Sequence, residues 1–330
     1  MKNAVRFAIK CILAMLPLFA VTGYTCLNPM GYMDGEYPSW HYTKMVQTGR
    51  EMPAEAENAA LILGDSRAMA DLVPSMIGEN YVNLGVGGAT SIEMYHTLKD
   101  YIEVNGAPKR AVIMFAPFHY SYMDNYEKRT MYFHHLTFRE AMELYSQGSS
   151  YNARVFEEFD RFDILSMYLR LPDSYLPALI NSRGNGRYDS NMKLYEEQRI
   201  KRGHALYGTK DGCDDINYEA SYKEMDRGGE HLLITYYFDR LLKLCSENGI
   251  DTIVLQPPMN EASYSRLDEG YVKEYLSYIE KFANDNPDIL FESVIPCYDN
   301  AYFGDSSHLN GKGAAVYTEE FIEKYIKQGQ

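Results

Sequence analysis

Apolar residues come along this chain in short unbroken runs, and between the runs they recur at helical spacing. AALIL (59–63), YVNLGV (81–86), AVIMFAPF (111–118), DTIVLQPP (251–258) and ILFESVI (289–295) have the density that a strand buried on both faces requires. The first stops at Gly64, the second at Gly87-Gly88 and the third near Pro117. SIEMYHTLKDYI (91–102) instead places Ile92, Tyr95, Leu98 and Ile102 on one helical face. HLLITYYFDRLLKLCSENG (231–249), YVKEYLSYIEKFAND (271–285) and GKGAAVYTEEFIEKYIKQ (311–328) read as helices too. Strands alternating with amphipathic helices predict an α/β fold with a mostly parallel sheet covered on both faces. In such folds, reactive residues gather beyond the carboxyl ends of the strands. Ser66, Gly85, His119 and the Pro257-Pro258 turn all fall at that edge.

Two regions depart from this rhythm. Residues 120–229 are too long for a connection and carry their own helical patterns, in MYFHHLTFREAMELYS and NARVFEEFDRFDILSMYLRL. They read as a largely helical insertion, a lid or substrate subdomain, leaving from the reactive edge. At the other departure, Lys2, Arg6 and Lys10 precede CILAMLPLFAVTGYTCL (11–27), which carries no charge. That length is near the lower limit for a membrane span. No small-x-small cleavage site is obvious, so residues 1–27 read as an uncleaved, single-pass signal anchor in preference to a cleaved signal peptide. The basic flank predicts a cytoplasmic N-terminal end and an extracytoplasmic working domain. Asn28-Pro29, Gly31, Gly35 and Pro38 make 28–58 a tether, leaving 59–330 as the working domain.

The formal charge of −14 over 330 residues argues against a nucleic-acid partner. Thirty tyrosines suit half-wet surfaces, sugar grooves and membrane interfaces, or simply fill amphipathic helix faces. The five cysteines show no CxxC and no zinc-ligand spacing; a Cys213–Cys297 disulfide is open to an exported domain. His134-His135 are adjacent and point apart on a helix, which favours a structural role over a metal site. GVGGAT has Thr90 where a dinucleotide loop needs its third glycine. The basic cluster Arg199, Lys201 and Arg202 reads as a solvated helix face or as an attractor of anionic polymer.

Ser66, in GDS directly after the first strand, is either a helix N-cap or a nucleophile. GDSSHLNGKG, before the terminal helix, offers Asp305 and His308 three positions apart across a tight turn, close enough to touch. Neutral imidazole takes a serine proton while a carboxylate fixes its tautomer. Alternatively Asp305 or Ser306 caps the helix and His308 is a loop residue. Arg67 beside the serine meets a substrate anion or caps the sheet edge.

Gly64-Asp65-Ser66, Asn83-Leu84-Gly85 and Asp305-Ser306-Ser307-His308, in that order and in those contexts, resemble the blocks of the SGNH (GDSL-type) hydrolase superfamily. The resemblance runs from Ala59 onward, the insertion excepted. It implies a three-layer α/β/α flavodoxin-like fold with Ser66 as nucleophile, His308 as general base and acid, and Asp305 as orienting carboxylate. It also implies the backbone amides of Ser66 and Gly85 as oxyanion donors. The family's Gly-x-Asn-Asp block is missing, since the third strand ends in FAPFHY and no asparagine follows until Asn125. His119 or Tyr120 would have to donate in its place, Tyr120 also being a candidate substrate contact. This departure is similar to the membrane-anchored DltD- and AlgJ/AlgX-like branches associated with cell-surface acyl transfer. The resemblance therefore implies a serine acyl-esterase or O-acyltransferase, needing no cofactor or metal, that acts on acylated cell-envelope glycan or polymer. A membrane-bound acyltransferase is an implied partner. The alternative is a catalytically weak glycan-binding or accessory protein of the same fold, serving such an acyltransferase.

Overall fold

The computed structural model describes residues 2–51, 58–123 and 126–327. Its strands are β1 (Ala60–Gly64), β2 (Tyr81–Asn83), β3 (Arg110–Met114), β4 (Asp251–Leu255), β5 (Met259–Asn260), β6 (Leu290–Phe291) and β7 (Cys297–Tyr298). Five of them form one sheet in the order β2-β1-β3-β4-β6, with every neighbouring pair parallel. The register aligns Ala60 with both Tyr81 and Arg110, and Arg110 with Asp251. All five expected strands are present; β1 is as long as its apolar run and the other four are shorter than theirs. Phe115 and Ala116 are buried beyond the end of β3 as loop, so burial continues where pairing stops.

Alternate strand residues face opposite ways. Leu61, Leu63, Ala111, Ile113 and Val254 join one core, with the helices Ser91–Asn105 and Gly229–Glu247 packed into it. Ala60, Ile62, Val112, Met114, Ile253 and Leu255 join the other, with Tyr317 and Phe321 of the helix Gly311–Phe321. Gly64 closes β1 because nothing larger fits. A Cβ there would lie 1.8 Å from the Met114 carbonyl oxygen and 2.6 Å from Ala68 Cβ.

The stretch read as a tether is instead part of the folded body. It holds the helices Pro29–Tyr32 and Tyr37–Gln47, and Tyr32, Met33, Trp40, Tyr42 and Val46 are buried in the larger core. Pro29 and Pro38 are not breakers here; they occupy first-turn helix positions, where a missing N–H costs nothing. Residues 52–57 of that stretch lie outside the described ones. The insertion carries the helices Phe138–Ser150, Arg161–Tyr168, Pro172–Asn181 and Tyr188–Ile200. The N-terminal helix Lys2–Leu27 is long and apolar enough from Asn3 onward to cross a membrane, and the rest of the chain leaves its apolar window uncovered.

The remaining candidates resolve structurally. All five cysteines are free, so Cys213 and Cys297 are not bridged. His135 is buried with Nε2 3.1 Å from Thr97 Oγ1, and His134 Nε2 lies 3.0 Å from the Met167 carbonyl oxygen. Thr90 is the N-cap of the helix that follows, reciprocated by Glu93. Arg199 pairs with Glu51 and Glu196, and Arg202 donates to the Gly78 carbonyl at 2.7 Å.

Candidate active site

The turn after β1 separates the two roles that the sequence left open for Ser66. Asp65 is the N-cap of the helix Ser66–Asp71: its Oδ1 accepts the Arg67 N–H at 2.9 Å. Ser66 is therefore the first helical residue, with no capping duty. The capping alternative at the other block dissolves in the same way. Asn310 caps the helix Gly311–Phe321, accepting from the N–H groups of Lys312 and Gly313, so Asp305 and Ser306 need not.

Asp305 is occupied with His308. Its Oδ1 accepts the N–H groups of Ser307 and His308, each at 2.8 Å, which folds the loop into a tight turn. The same turn sets His308 Nδ1 2.9 Å from Asp305 Oδ2. On the far side of the ring, Nε2 lies 2.8 Å from Ser66 Oγ, across 242 residues of sequence. The Leu309 N–H donates to Asp71 Oδ1 at 3.2 Å, tying this loop to the helix that begins with Ser66. Tyr207, from the insertion, stacks on the His308 ring with centroids 4.7 Å apart and planes 19° from parallel. Partial burial raises the Asp305 carboxyl, but the His308 ring and the two N–H groups outweigh it and hold it below the usual carboxylate range.

FAPFHY ends β3 in a tight turn that returns to the same place. Asp65 Oδ2 accepts the Ala116 N–H at 2.9 Å and meets His119 Nδ1 at 2.8 Å. Both side chains of this second pair are almost wholly buried. His119 Nε2 has no hydrogen-bond partner among the described residues. Burial pushes the Asp65 carboxyl up, yet His119, Arg67 and the Ala116 N–H together bring it below its ordinary value. Asp65 is thus a carboxylate that accepts three hydrogen bonds.

Ser66, His119 and His308 share one pocket of about 230 Å³, walled also by Gly87, Gly88, Phe118, Tyr207 and Tyr218. An ion pair stands at its wall, Arg129 Nη2 donating to Glu36 Oε1 at 2.8 Å. Three sequence expectations need correction. The Gly85 N–H donates to Asn83 Oδ1 at 3.0 Å, so it is not free for an oxyanion; the glycine is needed because a Cβ would press on Asp65 O at 3.0 Å. Arg67 borders the pocket, but its guanidinium forms a buried two-pronged ion pair with Glu219 and is not open to a substrate anion. Tyr120 is 1% exposed and packs into the core against Phe115, Phe238 and Tyr278, away from the pocket lining.

Sequence reasoning did not find Tyr207, Tyr218, Glu36 or Arg129. No local pattern marks them, because they come from the insertion and from the stretch read as a tether. No protein-family model matches the chain, and no curated protein matches it either.

Proposed function

We propose that this protein is an exported, membrane-anchored serine acyl-esterase or O-acyltransferase of the SGNH type, acting on an acylated cell-envelope glycan or polymer. The observation that carries the reading is the line Asp305–His308–Ser66, 2.9 and 2.8 Å per step, opening on a pocket. Ser66 Oγ attacks the ester carbonyl carbon while its proton passes to His308 Nε2, and Asp305 steadies the imidazolium through Nδ1–H. The tetrahedral intermediate expels the alcohol, which takes the proton back from His308 and leaves an acyl group on Ser66. Water or a sugar hydroxyl then repeats the sequence in reverse order.

The oxyanion needs donors that are fixed before the reaction. The Ser66 N–H is one. His119 Nε2 is the other, in place of the family's asparagine. Asp65 Oδ2 acts only as an acceptor, so the proton in the pair sits on Nδ1. As a donor His119 must hold a proton on each ring nitrogen, Nδ1–H toward Asp65 Oδ2 and Nε2–H toward the oxyanion. The small pocket favours a short acyl group such as acetyl. The strand order, with sheet faces covered by separate cores, supports a three-layer flavodoxin-like arrangement. The apolar N-terminal helix supports the anchor.

A serine-directed fluorophosphonate tests this reading. It should modify wild-type protein at Ser66, shown by peptide mass, and leave Ser66→Ala and His308→Ala unmodified. A well-folded wild-type protein that resists the reagent would instead favour the accessory-protein reading.

A further inference from the structure

The surface of the insertion is not uniformly polar. In the helix Tyr188–Ile200 the exposed positions include Asp189, Lys193, Glu196 and Arg199, as a face turned to water requires. In the helix Pro172–Asn181, PDSYLPALIN, the only charge is Asp173 in the first turn. Tyr175 is buried in the larger core, yet a second stripe of the same helix, Leu176, Pro177 and Ile180, is exposed. Ile180 is 65% exposed and Leu176 44%, and Leu169, just before the helix, is 51% exposed. A helix apolar on both sides needs a second apolar neighbour.

Beside it is the end of the N-terminal helix Lys2–Leu27. The helix Pro172–Asn181 packs on Pro29–Tyr32, which begins two residues after that end. Asn185 Oδ1 accepts the Tyr24 hydroxyl at 3.2 Å, and the Arg187 N–H donates to the Gly31 carbonyl at 3.2 Å. Asn191 Nδ2 donates to the carbonyls of Met30 and Met33, each at 2.9 Å. The Tyr32 hydroxyl donates in turn to the Thr25 carbonyl at 3.0 Å, so the folded body holds the last turn of the N-terminal helix. Depth follows from length. The uncharged run Cys11–Leu27 spans about 25 Å as a helix. The hydrocarbon core of a bilayer is thicker, about 30 Å. With Lys10 at one interface, the apolar layer reaches Leu27 or beyond, and whatever packs beside that turn stands at the other interface.

We propose that the helix Pro172–Asn181 is a second membrane contact, lying in the bilayer interface beside the anchor with Leu176, Pro177 and Ile180 toward the acyl chains. This contact rests on the anchor reading and is independent of the chemistry at Ser66. A lipid surface is the occupant because the stripe adjoins the one helix, among the described residues, that is long and apolar enough to cross a membrane. Glu36 lines the Ser66 pocket nine residues after Leu27, within about 30 Å even for an extended chain. Two membrane contacts, in place of one, then fix the height and tilt of that pocket over the bilayer.

Quenching by brominated lipid tests this on the full-length protein in phosphatidylcholine vesicles. Trp40, the single tryptophan of the chain, is buried and serves as background. Ile180→Trp places a reporter on the stripe. Val294→Trp, at a position 65% exposed in the loop after β6, on the sheet edge opposite β2, is the control. Bromine on the acyl chains near the headgroup should quench Ile180→Trp severalfold more than Val294→Trp, and more than bromine near the chain ends does. Leu176→Trp reports from the same stripe should Ile180→Trp not fold, as judged by circular dichroism. Equal quenching of reporter and control, in protein that floats with the vesicles, would overturn the contact and leave the anchor standing. Stronger quenching from the chain ends would overturn the interfacial placement. Protein that does not float with the vesicles would overturn the anchor reading and this contact with it.

Discussion

Asp305 and His308 are three residues apart in a partly exposed loop; Asp65 and His119 are 54 apart and almost wholly buried. Both pairs join Nδ1 to a carboxylate oxygen, at 2.9 and 2.8 Å, and both border the Ser66 pocket. They differ in what the other ring nitrogen meets. His308 Nε2 already faces Ser66 Oγ, so in the proposed chemistry it can take the serine proton. His119 Nε2 meets no hydrogen-bond partner among the described residues, although the residue lines the pocket. On the proposed reading the same two side chains make a proton carrier in one setting and an oxyanion donor in the other, set apart by burial and the second partner.

Breaking the relay should have the largest effect. Ser66→Ala or His308→Ala should lower kcat/KM for p-nitrophenyl acetate by about 10⁴-fold or more, and the double variant should be little worse than either alone. An additive double loss would mean that the two do not act as a unit. Asp305→Asn should cost about 10²–10⁴-fold by releasing the imidazole tautomer. His119→Ala should cost about 10²–10³-fold, seen in kcat with KM nearly unchanged, as befits a donor to the transition state. A change in KM alone would assign His119 to substrate binding instead.

The pairs should also separate in stability. Asp65→Asn removes the charge from a buried carboxylate that holds three donors, and should destabilise by about 3–5 kcal/mol in urea unfolding. Asp305 is more than a third exposed, and solvent screening limits its replacement by asparagine to about 1 kcal/mol or less. Equal losses would mean that burial is not what distinguishes the pairs.

Acid gives the most graded test. Burial lowers His135 to about 3 and His134 to about 4, so the folded state resists protons that the unfolded chain binds below its ordinary value of about 6.5. Stability should therefore fall as the pH drops from about 6.5 towards 4, before either carboxylate is lost. Asp65 and Asp305, both held low, stabilise the fold above the unfolded carboxylate value of about 3.9, and lose that contribution as the pH falls through their folded values. Melting temperatures across this range, with His135→Gln flattening the upper part, check the order.

The strands and the Asp305–His308 pair were legible for a shared reason. AALIL and DTIVLQPP announce buried strands by composition, and Asp305 and His308 stand close enough in sequence to meet whatever the rest of the chain does. The tyrosines were legible only as a count. Tyr32, Tyr101, Tyr175 and Tyr275 fill the buried faces of helices, and Tyr120 and Tyr126 are also large core side chains. Tyr120 and Arg67 misled because proximity in sequence to a reactive residue says nothing about where a side chain points. Tyr120 turns into the core, and Arg67 is claimed by Glu219, 152 residues away.

The sequence by itself determined a parallel α/β body, an apolar N-terminal helix and a serine placed where β1 ends, because these follow from periodicity and from residues near one another in the chain. Only the tertiary structure decided that Asp65 caps the helix and frees Ser66, that His119 comes to Asp65 at the pocket, and that Gly85 has already spent its N–H. Each of those outcomes is a competition for a hydrogen bond between groups distant in sequence. Such competitions are settled by which atoms arrive in the same buried space.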